Sequence, residues 1–390
     1  MRVGFYAPLK PPHHPVPSGD RRMARLLMRA LVAAGHEVEL MSSLRTWCLT
    51  PEALPAARDA AQAAAARLAR MLPARPRAEA IGVWFTYHLY YRAPDWIGPA
   101  VADALGIPYV VAEASSAGKR LTGPWAEGER AARAALARAS AVLSINPADD
   151  AGVLEHVDRP DRLFRLVPFL DLAAEPQPAA DRAALATRFA IPVEEPWLLA
   201  VAMMREGDKL ASYRLLGESL ALIADLRWRL VVAGDGPARE AVAAALGPRA
   251  HLLGACPPEL LQALYAASDL IVWPAVNEAF GMALLEARAA GLPVVAGDQG
   301  GVATIVDHGR SGLVVAPLTP EAFAAAVRRL LLDPAERRRM AAFARETTGA
   351  KHGLGAAAAT VSAALAYAAA HRRPLQPAIV TTDPKGLAAR

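Results

Sequence analysis

The feature that most constrains this chain is a rhythm that runs twice. Short apolar runs alternate with longer Ala-, Leu- and Arg-rich segments, and a proline-studded stretch separates the two rounds. In the first round, residues 2–7, 37–41, 80–85, 109–112 and 141–145 read as strands, with helices over 20–34, 53–72 and 126–139. Pro168, Pro176, Pro178, Pro192 and Pro196 then break the pattern, which puts a linker near 172–180. The second round has strands at 197–202, 229–234, 250–253, 270–273, 293–296 and 312–315. Helices alternate with them over 211–223, 238–246, 258–266, 281–290, 320–331 and 334–347. An Ala-rich helix over 356–371 and a weakly structured tail, 372–390, complete the chain. Strands that are apolar throughout and joined by helices belong to parallel sheets covered on both faces. The expected class is therefore α/β, with two Rossmann-like doubly wound domains, 1–175 and 176–355. Such sheets bind ligands beyond the carboxyl ends of their strands, so two of them imply a cleft between domains.

Composition narrows the function classes. The 43 basic and 38 acidic residues are interspersed, and no Lys/Arg cluster carries the aromatic residues of a nucleic-acid stripe. The net charge of +5 suits a mildly basic enzyme, or attraction to anionic substrates or an anionic membrane surface. Cys48 and Cys256 are far apart and fit neither a disulfide framework nor a zinc site, as in a reducing cytoplasm. No signal peptide pattern opens the chain, and no run approaches the ~20 apolar residues of a membrane span. A cytoplasmic protein is expected, with the inner face of a membrane as a second setting.

The chemistry is concentrated after the strand at 270–273, in Asn277-Glu278-Ala279-Phe280-Gly281-Met282-Ala283-Leu284-Leu285-Glu286-Ala287. Two carboxylates stand seven residues apart around Phe-Gly. Glu278 falls in the loop, Gly281 opens the helix, and Glu286 lies just over one turn inside it, leaning back toward the N-terminus. Free N–H groups at Phe280, Gly281 and Met282 then make an anion site, with the helix dipole behind it. Carboxylates flanking an anion site suit a ligand that brings hydroxyls, and a nucleotide sugar has hydroxyls on both sides of a diphosphate.

This E-x7-E segment resembles the signature of retaining glycosyltransferases of family 4, which have the GT-B fold. The likeness continues through Gly291-Leu292-Pro293-Val294-Val295, Gly300-Gly301, and Gly309-Arg310-Ser311-Gly312-Leu313. Upstream it includes Ala233-Gly234-Asp235-Gly236-Pro237 and 263–270. It implies transfer of a sugar from a nucleotide-diphosphate sugar to an unidentified acceptor, glycan or lipid-linked among others. Anomeric configuration would be retained, with no metal and no cofactor besides the donor. Glu278 is assigned to the transferred sugar, Glu286 to the ribose, and Phe280, Gly281 and Met282 to the diphosphate. The base would dock near Gly254. A C-terminal helix that crosses back to the first domain, here 356–390, also follows from the resemblance.

The chain departs from the family at two places. Relatives carry an Arg five or six residues before the donor-site Lys. Lys209 fits the Lys, but Met203 and Met204 hold the Arg positions, which leaves Arg205 as the substitute. The N-domain His near the reacting sugar is missing from 110–115. Glu113 and Ser115 are candidates for its contacts on the acceptor side, with His13, His14 and His88 as alternatives from other loops. Gly19 matches a glycine loop near the diphosphate, where Asp20 is tolerable only as a helix N-cap. These departures keep a second reading open, a degenerate relative that binds a nucleotide sugar or a partner without turnover. A phosphorylase is disfavoured because its cofactor lysine motif is absent.

Overall fold

In the computed structural model, residues 1–16, 18–174 and 181–371 are described. Six strands form the first sheet: β1 (Arg2–Tyr6), β2 (Glu37–Ser42), β3 (Ile81–Leu89), β4 (Tyr109–Ala114), β5 (Ala141–Ser144) and β6 (Leu163–Arg165). Six more form the second: β7 (Trp197–Val201), β8 (Arg229–Ala233), β9 (Ala250–Gly254), β10 (Leu270–Trp273), β11 (Val294–Gly297) and β12 (Gly312–Val315). Every named pairing is parallel, in the orders β2-β1-β3-β4-β5-β6 and β12-β11-β10-β7-β8-β9. Central strands such as β4, β5 and β10 are buried at every residue, as an apolar strand covered by helices on both faces must be. Among the described residues no helix is long and apolar enough to cross a membrane.

The strand orders locate the site. The first sheet reverses direction of winding between β1 and β3, and the second between β7 and β10. At such a switch point the connecting helices go to opposite faces and leave a crevice at the carboxyl ends. The loops after β1, β3, β7 and β10 therefore converge on one cleft.

Helix Gly19–Ala33 follows β1. Its Met23, Leu26, Leu27, Ala30 and Leu31 make a buried stripe at helical spacing, and Gly35, at φ 82°, ends it. Helix Leu354–Ala370 lies against it and against β4, β5 and β6. Ala357, Val361, Ala364, Leu365 and Ala368 join the core of the first lobe, and Tyr367 meets Phe164 edge-on at 5.6 Å. The chain thus passes between lobes twice, near Leu170 and near Gly353. The two passages touch, with the Leu170 N–H donating to the His352 carbonyl at 2.9 Å. The expected domain boundary at 175/176, most of the linker at 172–180 and the tail at 372–390 lie outside the described residues.

Besides β6 and the helices Gly98–Leu105 and Arg182–Phe189, which the sequence reading does not contain, two features near the cleft differ from the expectation. β3 runs to Leu89, where pairing with Ala114 of β4 carries it past the polar stretch Thr86-Tyr87-His88. Cross-strand pairing outweighs the loss of apolar pattern there, and His88 becomes a strand-end residue. The N-cap of helix Gly19–Ala33 is Ser18, whose hydroxyl accepts from the Arg21 N–H at 3.2 Å. Asp20 does not cap; it lies in the first turn, free to face the cleft.

Candidate active site

The cleft holds a cavity of about 390 Å³. The second lobe supplies one wall. Here β7 ends in a loop whose path is set by two glycines: a Cβ on Gly234 would lie 1.9 Å from the Ala202 carbonyl oxygen, and one on Gly236 2.2 Å from that of Met204. The loop is tied down by the Met204 N–H donating to the Asp235 carbonyl at 2.9 Å. Met204 is fully buried in the core, while Met203 and Arg205 line the cavity. Lys209 follows in the first turn of helix Asp208–Ala221.

The loop after β10 completes this wall. Ala275 and Asn277 adopt φ of 61° and 49°, held by the Val276 N–H donating to Ser212 Oγ at 3.0 Å and by Asn277 Nδ2 donating to Asp208 Oδ1 at 2.9 Å. Non-glycine residues at positive φ are uncommon and tend to gather at functional sites. Gly300, at φ 50°, packs under the loop so closely that a Cβ would sit 2.1 Å from the Glu278 carbonyl oxygen. The Gly301 N–H donates to the Ala279 carbonyl at 2.8 Å. This contact accounts for the Gly300-Gly301 element of the sequence pattern.

Glu278 emerges from that loop half-buried. Its Oε2 accepts from Lys209 Nζ and, at 3.2 Å, from Trp273 Nε1. The ammonium also sits 5.4 Å from the Trp273 ring, which is itself held edge-on by Tyr213 at 5.0 Å. Gly281, at φ 75° and ψ 57°, is the N-cap, and helix Met282–Ala289 starts one residue later than the sequence suggests. Phe280, Gly281 and Met282 all line the cavity, and their N–H groups donate to no backbone carbonyl among the described residues. A helix N-terminus with open amides and a lysine beside it attracts an anion.

The first lobe supplies the facing wall with Lys10, Gly19, Asp20, Tyr87, His88 and Glu113. His88 and Glu113 both sit at strand ends with positive φ, 66° and 58°. His88 Nδ1 lies 3.3 Å from Asp20 Oδ1 and 3.7 Å from Glu113 Oε1. Burial alone would depress His88, but the charges of Glu113 and Asp20 outweigh it and raise its pKa to about 9. Burial lifts Glu113 to about 7 against the pull of His88. For Asp20 burial pushes upward, yet the hydrogen bond and charge of His88 prevail and its pKa is lowered. Burial and the nearby charges of Arg45, Arg21 and Arg205 lower the Lys10 pKa, with Asp20 opposing.

The remaining sequence candidates fall elsewhere. Glu286 is 5% exposed and lies behind the cavity wall, where its Oε1 pairs with Arg22 of the first lobe and its Oε2 accepts from the Tyr265 hydroxyl at 2.8 Å. Gly254, at φ 77°, ends β9 away from the cavity and accepts from the Gly234 N–H at 2.8 Å. His13 is exposed, and His14 Nδ1 accepts from the Val16 N–H at 3.1 Å; neither lines the cavity. Ser115 also lies outside it, its N–H donating to the Leu89 carbonyl at 3.0 Å. Sequence reasoning missed Lys10 and gave His88 no more than an alternative's place. The signal for His88 was its position after an apolar run; for Lys10 it was a lysine directly after the first strand.

Residues 195–333, which hold β7 to β12, match the family described as glycosyl transferases group 1. The chain is 32% identical over 300 residues to a D-inositol 3-phosphate glycosyltransferase of Nocardioides, which takes in 69% of this chain and 64% of that protein. The chain thus spans a little under two thirds of that relative's length. It is 29% identical over 302 residues to an alpha-D-kanosaminyltransferase of Streptomyces kanamyceticus, covering 75% of this chain and 76% of that one. Among solved structures, Anabaena HepE in complex with UDP-glucose superposes with a TM-score of 0.69 at 16% identity, over 94% of this chain and 99% of that chain. The two facing Rossmann-like lobes are those of the GT-B fold.

Proposed function

We propose that this chain is a glycosyltransferase that transfers a sugar from a nucleotide-diphosphate sugar to an acceptor hydroxyl, with retention of configuration and without a metal. One observation carries the reading. At the start of helix Met282–Ala289, open backbone amides, Lys209 and the carboxylate of Glu278 share a single cavity at the switch points of two sheets. The names of the two relatives and the UDP-glucose bound to HepE add support.

In this reading the diphosphate rests on the amides of Phe280, Gly281 and Met282, with Lys209 and Arg205 as its cations. Lysine supplies a point charge, and arginine a fork matched to two phosphate oxygens. Glu278 accepts from the hydroxyls of the transferred sugar, and Lys209 holds it in place until then. As the bond to the leaving group lengthens, negative charge grows on the phosphate oxygen that these donors already face. The acceptor hydroxyl approaches from the same side, and the departing phosphate oxygen takes its proton. Positioning and charge stabilisation supply the rate, with no covalent step by the protein. Glu113 and His88 lie on the acceptor side of the cavity. The protein works in the cytoplasm, where nucleotide sugars are available, and the lobes hinge near 351–355.

Nucleotide-sugar turnover in excess chelator tests this. Release of nucleoside diphosphate from UDP-, GDP- or ADP-sugar is expected to persist in EDTA. Activity abolished by EDTA and restored by Mg²⁺ or Mn²⁺ contradicts the metal-free reading.

A further inference from the structure

The first-lobe side of the cleft carries more positive charge than the donor reading uses. Lys10, in the loop after β1, lines the cavity. Arg45 lies in the loop after β2, while Arg92 and Arg120 follow β3 and β4. Among the described residues none of these four makes an ion pair with a carboxylate, whereas arginines such as Arg75, Arg138 and Arg328 do. Asp20 is the carboxylate that acts on Lys10, and it is already engaged by His88 at 3.3 Å.

Aromatic rings hold these cations instead. The Arg45 guanidinium sits 5.2 Å from the Trp47 ring, Arg92 lies 5.5 Å from Trp47 and 5.1 Å from Trp125, and Arg120 lies 4.1 Å from Tyr91. A ring face orients a guanidinium without neutralising it. Arg92 gives its N–H groups to the carbonyls of Cys48 and Leu49. Arg45 donates Nε to the Leu9 carbonyl at 3.0 Å, has Nη1 3.5 Å from His14 Nε2, and is exposed. The scaffold rims the cavity. Tyr90, whose hydroxyl accepts from Trp47 Nε1 at 3.1 Å, has its ring 5.1 Å from that of the cavity residue His88. At the other end Arg45 is close enough to Lys10 for its charge to help lower the Lys10 pKa. The arc from His88 through Tyr90, Trp47 and Arg45 thus returns to the cavity at Lys10.

We infer that Lys10 and Arg45 form an anion subsite for the acceptor, so that the acceptor carries a phosphate or a carboxylate beside the hydroxyl that receives the sugar. The inference rests on the proposed transferase reading. In that reading the donor diphosphate already has Arg205, Lys209 and three backbone amides on the second lobe. Lys10 and Arg45 stand on the opposite wall, beyond what the diphosphate needs. A neutral acceptor leaves their charges crowded, because Arg21 and Arg205 also bear on Lys10. An anionic group relieves that crowding, and the guanidinium fork and the ammonium together fix its orientation. The rest of the acceptor then points along the wall toward His88 and Glu113, with its hydroxyl toward the leaving group.

The test is calorimetric titration of glucose 6-phosphate, glucuronate and methyl glucoside into the protein saturated with UDP, GDP or ADP, whichever it binds. The anionic sugars are expected to bind about tenfold more tightly than the neutral one, the scale of a hydrogen bond to a charged group. Added salt should narrow the gap. Arg45→Ala and Lys10→Ala should each remove most of the preference, and Arg45→Lys, which keeps the charge, should retain part of it. Nucleotide affinity should be the same in Arg45→Ala as in wild type. Equal affinity for the three sugars, or a preference that Arg45→Ala leaves intact, overturns the subsite alone. So does a loss of nucleotide affinity in Arg45→Ala, which assigns that cation to the donor. Vesicles of phosphatidylglycerol and of phosphatidylcholine add a further arm. Arg45-dependent capture by phosphatidylglycerol, with no preference among the sugars, makes the rim a membrane contact and overturns the inference. Absence of binding by all three nucleotides overturns the proposed donor function and the acceptor subsite with it.

Discussion

Lys209 and Glu278, 69 residues apart in the chain, meet as an ion pair over the indole of Trp273, at the mouth of helix Met282–Ala289. In the proposed function each is the other's placeholder, the lysine for an anion and the carboxylate for hydroxyl donors. The pair predicts separable consequences for its two halves. Lys209→Ala should lower kcat by about 10²–10³, the typical cost of losing one preorganised donor at a developing negative charge. Glu278→Gln should lower kcat while leaving the affinity for free nucleoside diphosphate close to wild type. Steady-state kinetics with a parallel binding titration separate the two.

The methionines before Lys209 make a second contrast. Arg205→Ala should reduce turnover clearly, though less than Lys209→Ala, and Met203→Arg should bring little if Arg205 already supplies the fork. Met204→Arg is different in kind, because Met204 is fully buried beneath the loop. An arginine there has no partner to offset desolvation, so the melting temperature should fall well below that of Met203→Arg. Thermal melts of the two variants, run side by side, check this.

The glycine under the loop after β10 gives a third prediction. At Gly309, with φ 75° and open space around a Cβ, alanine faces only the left-handed backbone penalty of about 1–2 kcal/mol. At Gly300, with φ 50°, the same change adds a clash with the Glu278 carbonyl oxygen. Gly300→Ala should therefore destabilise more than Gly309→Ala in chemical denaturation, and should also weaken nucleotide binding, which Gly309→Ala should leave intact.

His88 in the cleft ties stability to pH. Its ordinary value is 6.5 and the folded value is about 9, so its charge stabilises the fold fully below about 6.5. That contribution is lost as pH rises through about 9. Glu113, itself raised to about 7, is ionised over the upper part of this window and pairs with the imidazolium there. The melting temperature of wild type should thus fall between pH 7 and 10 more steeply than that of His88→Gln. Parallel slopes for the two proteins contradict the assignment.

Much of this site was legible in the sequence because its parts are local. Gly281, Glu278 and the helix that starts at Met282 follow one another along the chain, so spacing alone orders them about an anion. The twofold strand–helix rhythm likewise exposed both sheets. What stayed hidden depends on contacts between distant segments. The polar run Thr86-Tyr87-His88 hides the end of β3, and only pairing with β4 keeps it extended. Arg22 looks like any arginine on a helix surface until the second lobe brings Glu286 to it, 264 residues away. A helix cap was the role that made Asp20 tolerable beside a phosphate, and which residue caps rests on where helix Gly19–Ala33 begins.

The central claim, that this cleft splits a nucleotide sugar, is tested most directly by release of nucleoside diphosphate. UDP-glucose, GDP-mannose and ADP-glucose, each incubated with the protein in EDTA, supply the donors, with water as the acceptor of last resort. The account predicts slow release from one of the three, reduced about 10²–10³-fold in Lys209→Ala. No release above the uncatalysed rate from any of them, or release that Lys209→Ala leaves unchanged, would contradict it.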